Sequence, residues 1–248
     1  MSAPAGRAAA TGAQVSMELR LTARRGENVL VTVIIPAVVL VFFSSMHLVP
    51  AAAGDPLDFL VPGALALAII AASLVNLGIA TAYERNYGVL KRLGGSPLTR
   101  SGLMTAKVAS VLVVEVLQIA LLGAIAVALG WRLGPGASAV LFLAAWLLGT
   151  MAFAGLGLLM AGALRAEATL ALANAAFIAS LLLGGIVVPV DHLPGPLAAL
   201  ASLLPPAALS DAFRIAFGTA GASVTPFAIL AVWAAGAVAL TARTFRWE

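Results

Sequence analysis

Cysteine is absent from this sequence, and histidine occurs only twice. The first absence excludes disulfides, thiolate metal sites and cysteine nucleophiles. His47 and His192 stand alone, without HExxH or any other ligand spacing, so no metal site is expected. The G-x-x-x-x-G-K-S/T phosphate loop is missing, so the chain is not expected to hydrolyse ATP itself. No Ser, His and Asp are placed for nucleophilic chemistry. Charge is scarce too: Asp, Glu, Lys and Arg make up 10% of the 248 residues, against about 25% in a soluble domain. Apolar residues fill the space, at 62%, which points to an integral membrane protein. The net charge of +4 does not imply nucleic acid, because the basic residues fall between apolar runs.

Six segments reach the roughly 20 apolar residues that a helix needs to cross a bilayer: 28–48, 59–83, 105–130, 139–163, 168–190 and 223–241. They lack the alternation of a membrane barrel, so the expected fold is all-α and polytopic. Residues 1–14 are small and polar and read as a disordered tail ahead of one transmembrane domain, 15–248. No signal peptide is expected there. Residues 14–28 place Val15, Met17, Leu19 and Leu21 among Glu18, Arg20, Arg24 and Arg25, a pattern that fits strand or helix. Their position beside a span favours an interfacial helix. Before the last span, Pro205 and Pro206 interrupt an apolar run that also holds Asp211 and Arg214. Two short helices, 196–204 and 207–217, that enter the membrane and return fit better than one span.

Six spans put both termini on one side. That side holds Arg7, Arg20, Arg24, Arg25, Arg85, Lys91, Arg92, Arg100, Lys107, Arg165, Arg243 and Arg246, and the other holds Arg132 and Arg214. Positive charge stays inside, so both termini are expected in the cytoplasm. Trp131 is expected at the outer rim, with Tyr83, Tyr87 and Trp247 at the inner one.

The stretch YERNYGVLKRLGGSPLTR then becomes a cytoplasmic loop. It reads as a short helix starting at Glu84, with Leu90 and Leu93 on it, ended by Gly94 and Gly95. Pro97 would open a second turn. Two readings stand: a basic anchor on lipid headgroups, or a shaped knob for a partner. The glycine and proline punctuation belongs to the second.

This loop resembles that of type-2 permeases of ATP-binding-cassette (ABC) transporters, E-R-x-x-G-x-L-x-x-L-x-x-x-P-L before a span starting near a Lys. Glu84, Arg85, Gly88, Leu90, Leu93, Pro97, Leu98 and Lys107 match, while Asn86 replaces a usual acid and Val89 a usual Thr. The late segment is similar to the same family, with Pro189, Pro194, Pro205 and Arg214 in the expected order. The resemblance implies a drug or lipid exporter subunit in the plasma (inner) membrane. It implies a second permease, identical or related, and a separate ATPase that carries ATP and Mg. Glu84, Arg85, Gly88, Leu90, Lys91, Arg92, Leu93, Pro97 and Leu98 would meet that ATPase. Pro189, Pro194, Pro205, Asp211 and Arg214 would belong to an outer lid.

Within the spans, Glu115 lies roughly 15 Å deep at 1.5 Å per residue, and it shares a helix face with Lys107, Val111 and Gln118. Lys107 is about 12 Å away along the axis, too far for a pair with Glu115, and is expected at the inner interface. Glu115, Gln118, Asn76 and Asn174 mark either a substrate path or subunit seam, or hydrogen bonds between spans. Pro36 frees the carbonyl of Thr32 and should kink the first span, either shaping a gate on that path or seam or as one of the prolines common in spans. The Gly-x-Gly of Gly155 and Gly157 signals close helix packing, not phosphate binding. The rival reading is a lipid-modifying membrane enzyme using Glu115 or Asp55, Asp58, Asp191 and Asp211.

Overall fold

The computed structural model describes residues 6–24, 26–46, 55–96 and 98–244. Pro97, His47, Arg25, Arg246 and Trp247 lie outside them, as do residues 1–5 of the expected tail. Among the described residues there is helix and no strand. In chain order the helices are α1 (Arg7–Arg24), α2 (Gly26–Met46), α3 (Pro56–Ile70), α4 (Leu77–Asn86), α5 (Val89–Gly94), α6 (Arg100–Ala128), α7 (Ala139–Ala163), α8 (Ala166–Leu183), α9 (Gly195–Ser202), α10 (Pro205–Ala216) and α11 (Thr225–Thr244).

α3 and α4 form one rod, Pro56–Asn86, joined by a π-helical turn at Ala71–Asn76. Asp55 starts it by accepting the Leu57 N–H at 2.9 Å, with Pro56 in the first turn. The rod is buried almost throughout, whereas α6, α7, α8 and α11 leave much of their length exposed. It is the axis around which they pack. The wider turn occurs where α7 presses closest: a Cβ on Gly157 would lie 2.9 Å from the carbonyl oxygens of Ser73 and Leu74. Gly155 makes the same approach to Ala237 of α11. The Gly-x-Gly is therefore a packing device.

Among the described residues five helices, counting the rod as one, are long and apolar enough to cross a membrane, or six if the bent pair α9 and α10 is one span; the apolar part of α2, Thr32–Met46, is shorter. α1 corrects the N-terminal expectation. Residues 7–14, read as tail, are helical. Ala10, Gln14, Glu18 and Thr22 form one inward stripe against α6, so the period is that of a helix. The fifth span also differs. α8 stops at Leu183, because Gly184 ends it and Gly185 takes φ +60; residues 184–189 are not helical.

The paired short helices are present as α9 and α10, bent by 72°. Both start slightly earlier than expected because Pro196 and Pro205 sit in the first turn. α9 is largely exposed and α10 almost wholly buried against α3, α7 and α11.

Candidate functional site

The loop between α4 and α6 divides into roots and a tip. Glu84 and Arg85 belong to the last turn of α4 and not to a separate loop helix. Gly88, at φ +70, turns the chain into α5, a conformation that suits glycine. α6 opens at Arg100 with Thr99 as its cap, accepting the Gly102 N–H at 3.0 Å, so the helix starts beyond Pro97.

The roots face the protein. Lys107, 1% exposed, donates to Glu84 Oε2 at 2.6 Å and pairs with Glu18 Oε1 at 3.0 Å. One ammonium thus ties α1, α4 and α6, and Gln14 Nε2 adds a bond to Glu18 Oε1 at 2.8 Å. Asn76 lies half-buried on the same small cavity, about 50 Å³, beside Glu18, Lys107 and Ser110. Arg85 donates through both Nη atoms, to the carbonyls of Gly162 and Leu164. Those carbonyls end α7 and have no helical partner, so Arg85 caps that helix. Leu90 and Leu98 are buried with Leu103, Met104 and Ala10. These positions, expected to meet a partner, hold the loop to the bundle. The tip is Asn86, Tyr87, Val89, Lys91, Arg92 and Gly94–Ser96, all exposed, with Leu93 half-buried beneath. Sequence reasoning missed Glu18 and the exposed Val89. The four-residue step from Gln14 to Glu18 was the available signal for the first.

Glu115 and Gln118 join spans. Glu115 is fully buried, and its Oε2 accepts from Trp146 Nε1 and Thr150 Oγ1 of α7, each at 2.7 Å. Gln118 Nε2 donates to the Thr32 carbonyl at 3.2 Å. That is the acceptor released by Pro36, so the proline's lost bond is replaced from α6. Lys107, Val111, Glu115 and Gln118 share the buried face of α6, and Lys107 pairs away from Glu115. Asn174 behaves differently: it is exposed and bonds within α8, Nδ2 to Leu170 O at 2.9 Å.

Against this geometry, the family model for ABC-2 type transporters matches residues 11–217, from within α1 to just past α10. The chain belongs to the ABC-2 type transporter family. No curated protein matches it. The ABC-2 chain is a multi-pass permease component of an ABC transporter and not its ATPase, and membership implies an ABC ATPase as partner.

In this permease the segment before the last span is fastened by Arg214. Its guanidinium donates to Asp211 Oδ1 at 2.6 Å, to the Phe59 carbonyl at 3.4 Å and to the Gly185 carbonyl, and lies 4.0 Å from the Phe59 ring centre. Trp131, expected at a lipid rim, is buried here. It donates to Asp58 Oδ1 at 3.1 Å and packs edge-on to Phe217 with centroids 5.1 Å apart. The indole N–H thus has a carboxylate acceptor within the protein. Pro205 starts α10 and is buried, Pro189 is half-buried and Pro194, before α9, is exposed. Of the acids in the enzyme reading, Asp55 caps α3, Asp58 holds Trp131, Asp211 holds Arg214 and Glu115 holds α7; Asp191 is exposed beside His192.

Proposed function

We propose that the chain is the permease of an ABC exporter, moving an amphipathic drug, lipid or glycolipid outward. A separate ATPase, carrying ATP and Mg, would act through the 84–100 loop. The observation that supports this most is the division of that loop. An exposed tip of mixed apolar and basic residues, Tyr87, Val89, Lys91 and Arg92, stands on roots bonded to α1, α6 and α7. A lipid anchor needs charge at the tip but no such roots. A surface that is pushed needs both, because force on a floating loop would not reach the spans.

In this reading the loop and both termini face the cytoplasm at the plasma (inner) membrane, by the distribution of basic residues. α2, the Pro56–Asn86 rod, α6, α7, α8 and α11 are the six spans, and α9 with α10 forms the external lid. Glu115 and Gln118 act as joints between α6, α7 and α2. The apolar lining of the cavity between α6, α7 and α11, about 450 Å³, suits an acyl chain or an amphipathic cargo.

The test is purification of the tagged chain in mild detergent with mass spectrometry of what accompanies it. Val89→Asp and Arg92→Glu are run beside it. A phosphate-loop protein that is captured by the natural chain and lost from both variants, with unchanged thermal unfolding, supports the reading. Absence of such a partner from all three samples sinks it.

A further inference from the structure

The loop end of the bundle carries an apolar groove. α7 packs along α11 but touches α6 at few points, so α6 and α11 form two walls that stand apart over a floor of α7. The cavity between them, about 450 Å³, is lined by Met104, Val108 and Leu112 of α6, Met151 and Leu158 of α7 and Val238 of α11. Small residues leave its width: Ala109 on one wall, Ala242 on the other and Gly155 in the floor. The Thr241 hydroxyl also lines it, but is spent on the Gly155 carbonyl at 2.8 Å. Beyond Leu112, α6 continues with Val113, Val116 and Leu117, which are exposed and suit lipid.

Depth and charge identify the occupant. From Ser101 to Leu112 the groove runs about 16 Å at 1.5 Å per residue, close to half of a hydrocarbon core of about 30 Å. One acyl chain of a single leaflet fits that depth. The mouth lies at the first turn of α6 and the last turn of α11. There Arg100 stands one turn before Met104, and Arg243 directly follows Ala242. Both arginines are exposed, and neither makes an ion pair with a described residue. No described carboxylate lines the cavity. Two unpaired guanidinium groups above an apolar slot match a phosphate carried on a hydrocarbon chain.

We propose that this groove binds an anionic phospholipid of the leaflet on the loop side, one acyl chain lying in the slot and the phosphate between Arg100 and Arg243. Of an acyl chain and a passing cargo, the groove selects the first. Its lining ends near mid-membrane at Leu112, so the lipid stays in one leaflet as a resident ligand. Seated there, it fills the space between α6 and α11 that α7 does not close, and its headgroup joins the start of one helix to the end of the other. The inference needs only that these three helices cross a bilayer.

The test is native mass spectrometry of the full chain, released from detergent after incubation with equal amounts of phosphatidylglycerol and phosphatidylcholine. The natural chain should retain phosphatidylglycerol over phosphatidylcholine by about tenfold. Arg100→Gln with Arg243→Gln should bring that preference within about twofold. Ala109→Phe, which fills the slot, should lose bound lipid of both kinds. Val113→Phe, exposed beside the groove but outside its lining, should behave as the natural chain. Thermal unfolding of each variant confirms that it is folded, and a destabilised Ala109→Phe is replaced by Thr105→Trp, an exposed position on the same wall. Equal retention of the two lipids by the natural chain, an unchanged preference in the arginine variant, or equal loss from the filled and control variants would each overturn the proposal. ATPase capture, measured on the same variants, reports separately on the exporter reading.

Discussion

The two ends of the permease hold their buried cations in different ways. At the loop end, the Lys107 ammonium sits between two carboxylates, Glu18 and Glu84, from two other helices. At the α10 end, the Arg214 guanidinium spans one carboxylate, two main-chain carbonyls and a ring face. A compact ammonium suits side-chain partners that can be exchanged, and a planar fork suits several fixed acceptors at once. The loop end is thus tied by side chains, while the α10 end is tied largely to backbone and backed by the stack of Phe142, Phe213 and Phe217. Under the proposed drive from the loop, exchangeable side-chain ties would let the first end shift while the second keeps its shape.

The comparison breaks most severely if the crossing between the two ends is lost. Gly157→Leu puts a side chain where a bare Cβ would already lie 2.9 Å from two carbonyl oxygens. Loss of the monodisperse peak in size-exclusion chromatography is expected. Next come the cations themselves. Arg214→Ala leaves the buried carbonyls of Phe59 and Gly185 without their donor, while the half-exposed Asp211 keeps solvent, and should destabilise by about 2–5 kcal/mol, read as a lower unfolding temperature in detergent. Arg214→Lys should recover little, since one ammonium cannot span the same acceptors. Lys107→Met leaves Glu18 and Glu84 facing each other and should cost a similar ~3–5 kcal/mol, but Glu18→Gln with Glu84→Gln should restore most of it. No neighbouring substitution should rescue Arg214→Ala equally well. Equal rescue at both ends would erase the distinction.

Smaller effects sharpen it. Trp146→Phe removes one of two donors to Glu115 and should destabilise by about 0.6–2 kcal/mol. Glu115→Gln keeps an acceptor oxygen for both Trp146 and Thr150 and should change unfolding less than Glu115→Leu. Tyr87→Ala, at the exposed tip, should leave stability within about 0.5 kcal/mol while weakening ATPase capture.

Much of this was legible along the chain. Apolar run lengths gave the helical rods, and Pro205 with Pro206 gave the broken segment before the last one. The shared face of Lys107, Glu115 and Gln118 follows from helical spacing alone, and Pro36 identified the carbonyl that would need a donor. The partners were not legible. Glu84 and Arg85 matched a family pattern for a docking loop, yet their side chains turn inward to Lys107 and the end of α7. Nothing local distinguishes a charge that meets a partner from one that fastens the loop.

The sequence by itself determined that this protein is a bundle of apolar helices with one basic, glycine-punctuated loop, because helix periodicity and bilayer thickness act on short stretches of chain. Only the tertiary structure decided which charges are spent inside. Glu18 and Lys107 are distant in sequence, as are Phe59 and Arg214, and their meeting depends on how the helices pack around the central rod. Burial then makes each unpaired group costly enough to select those partners.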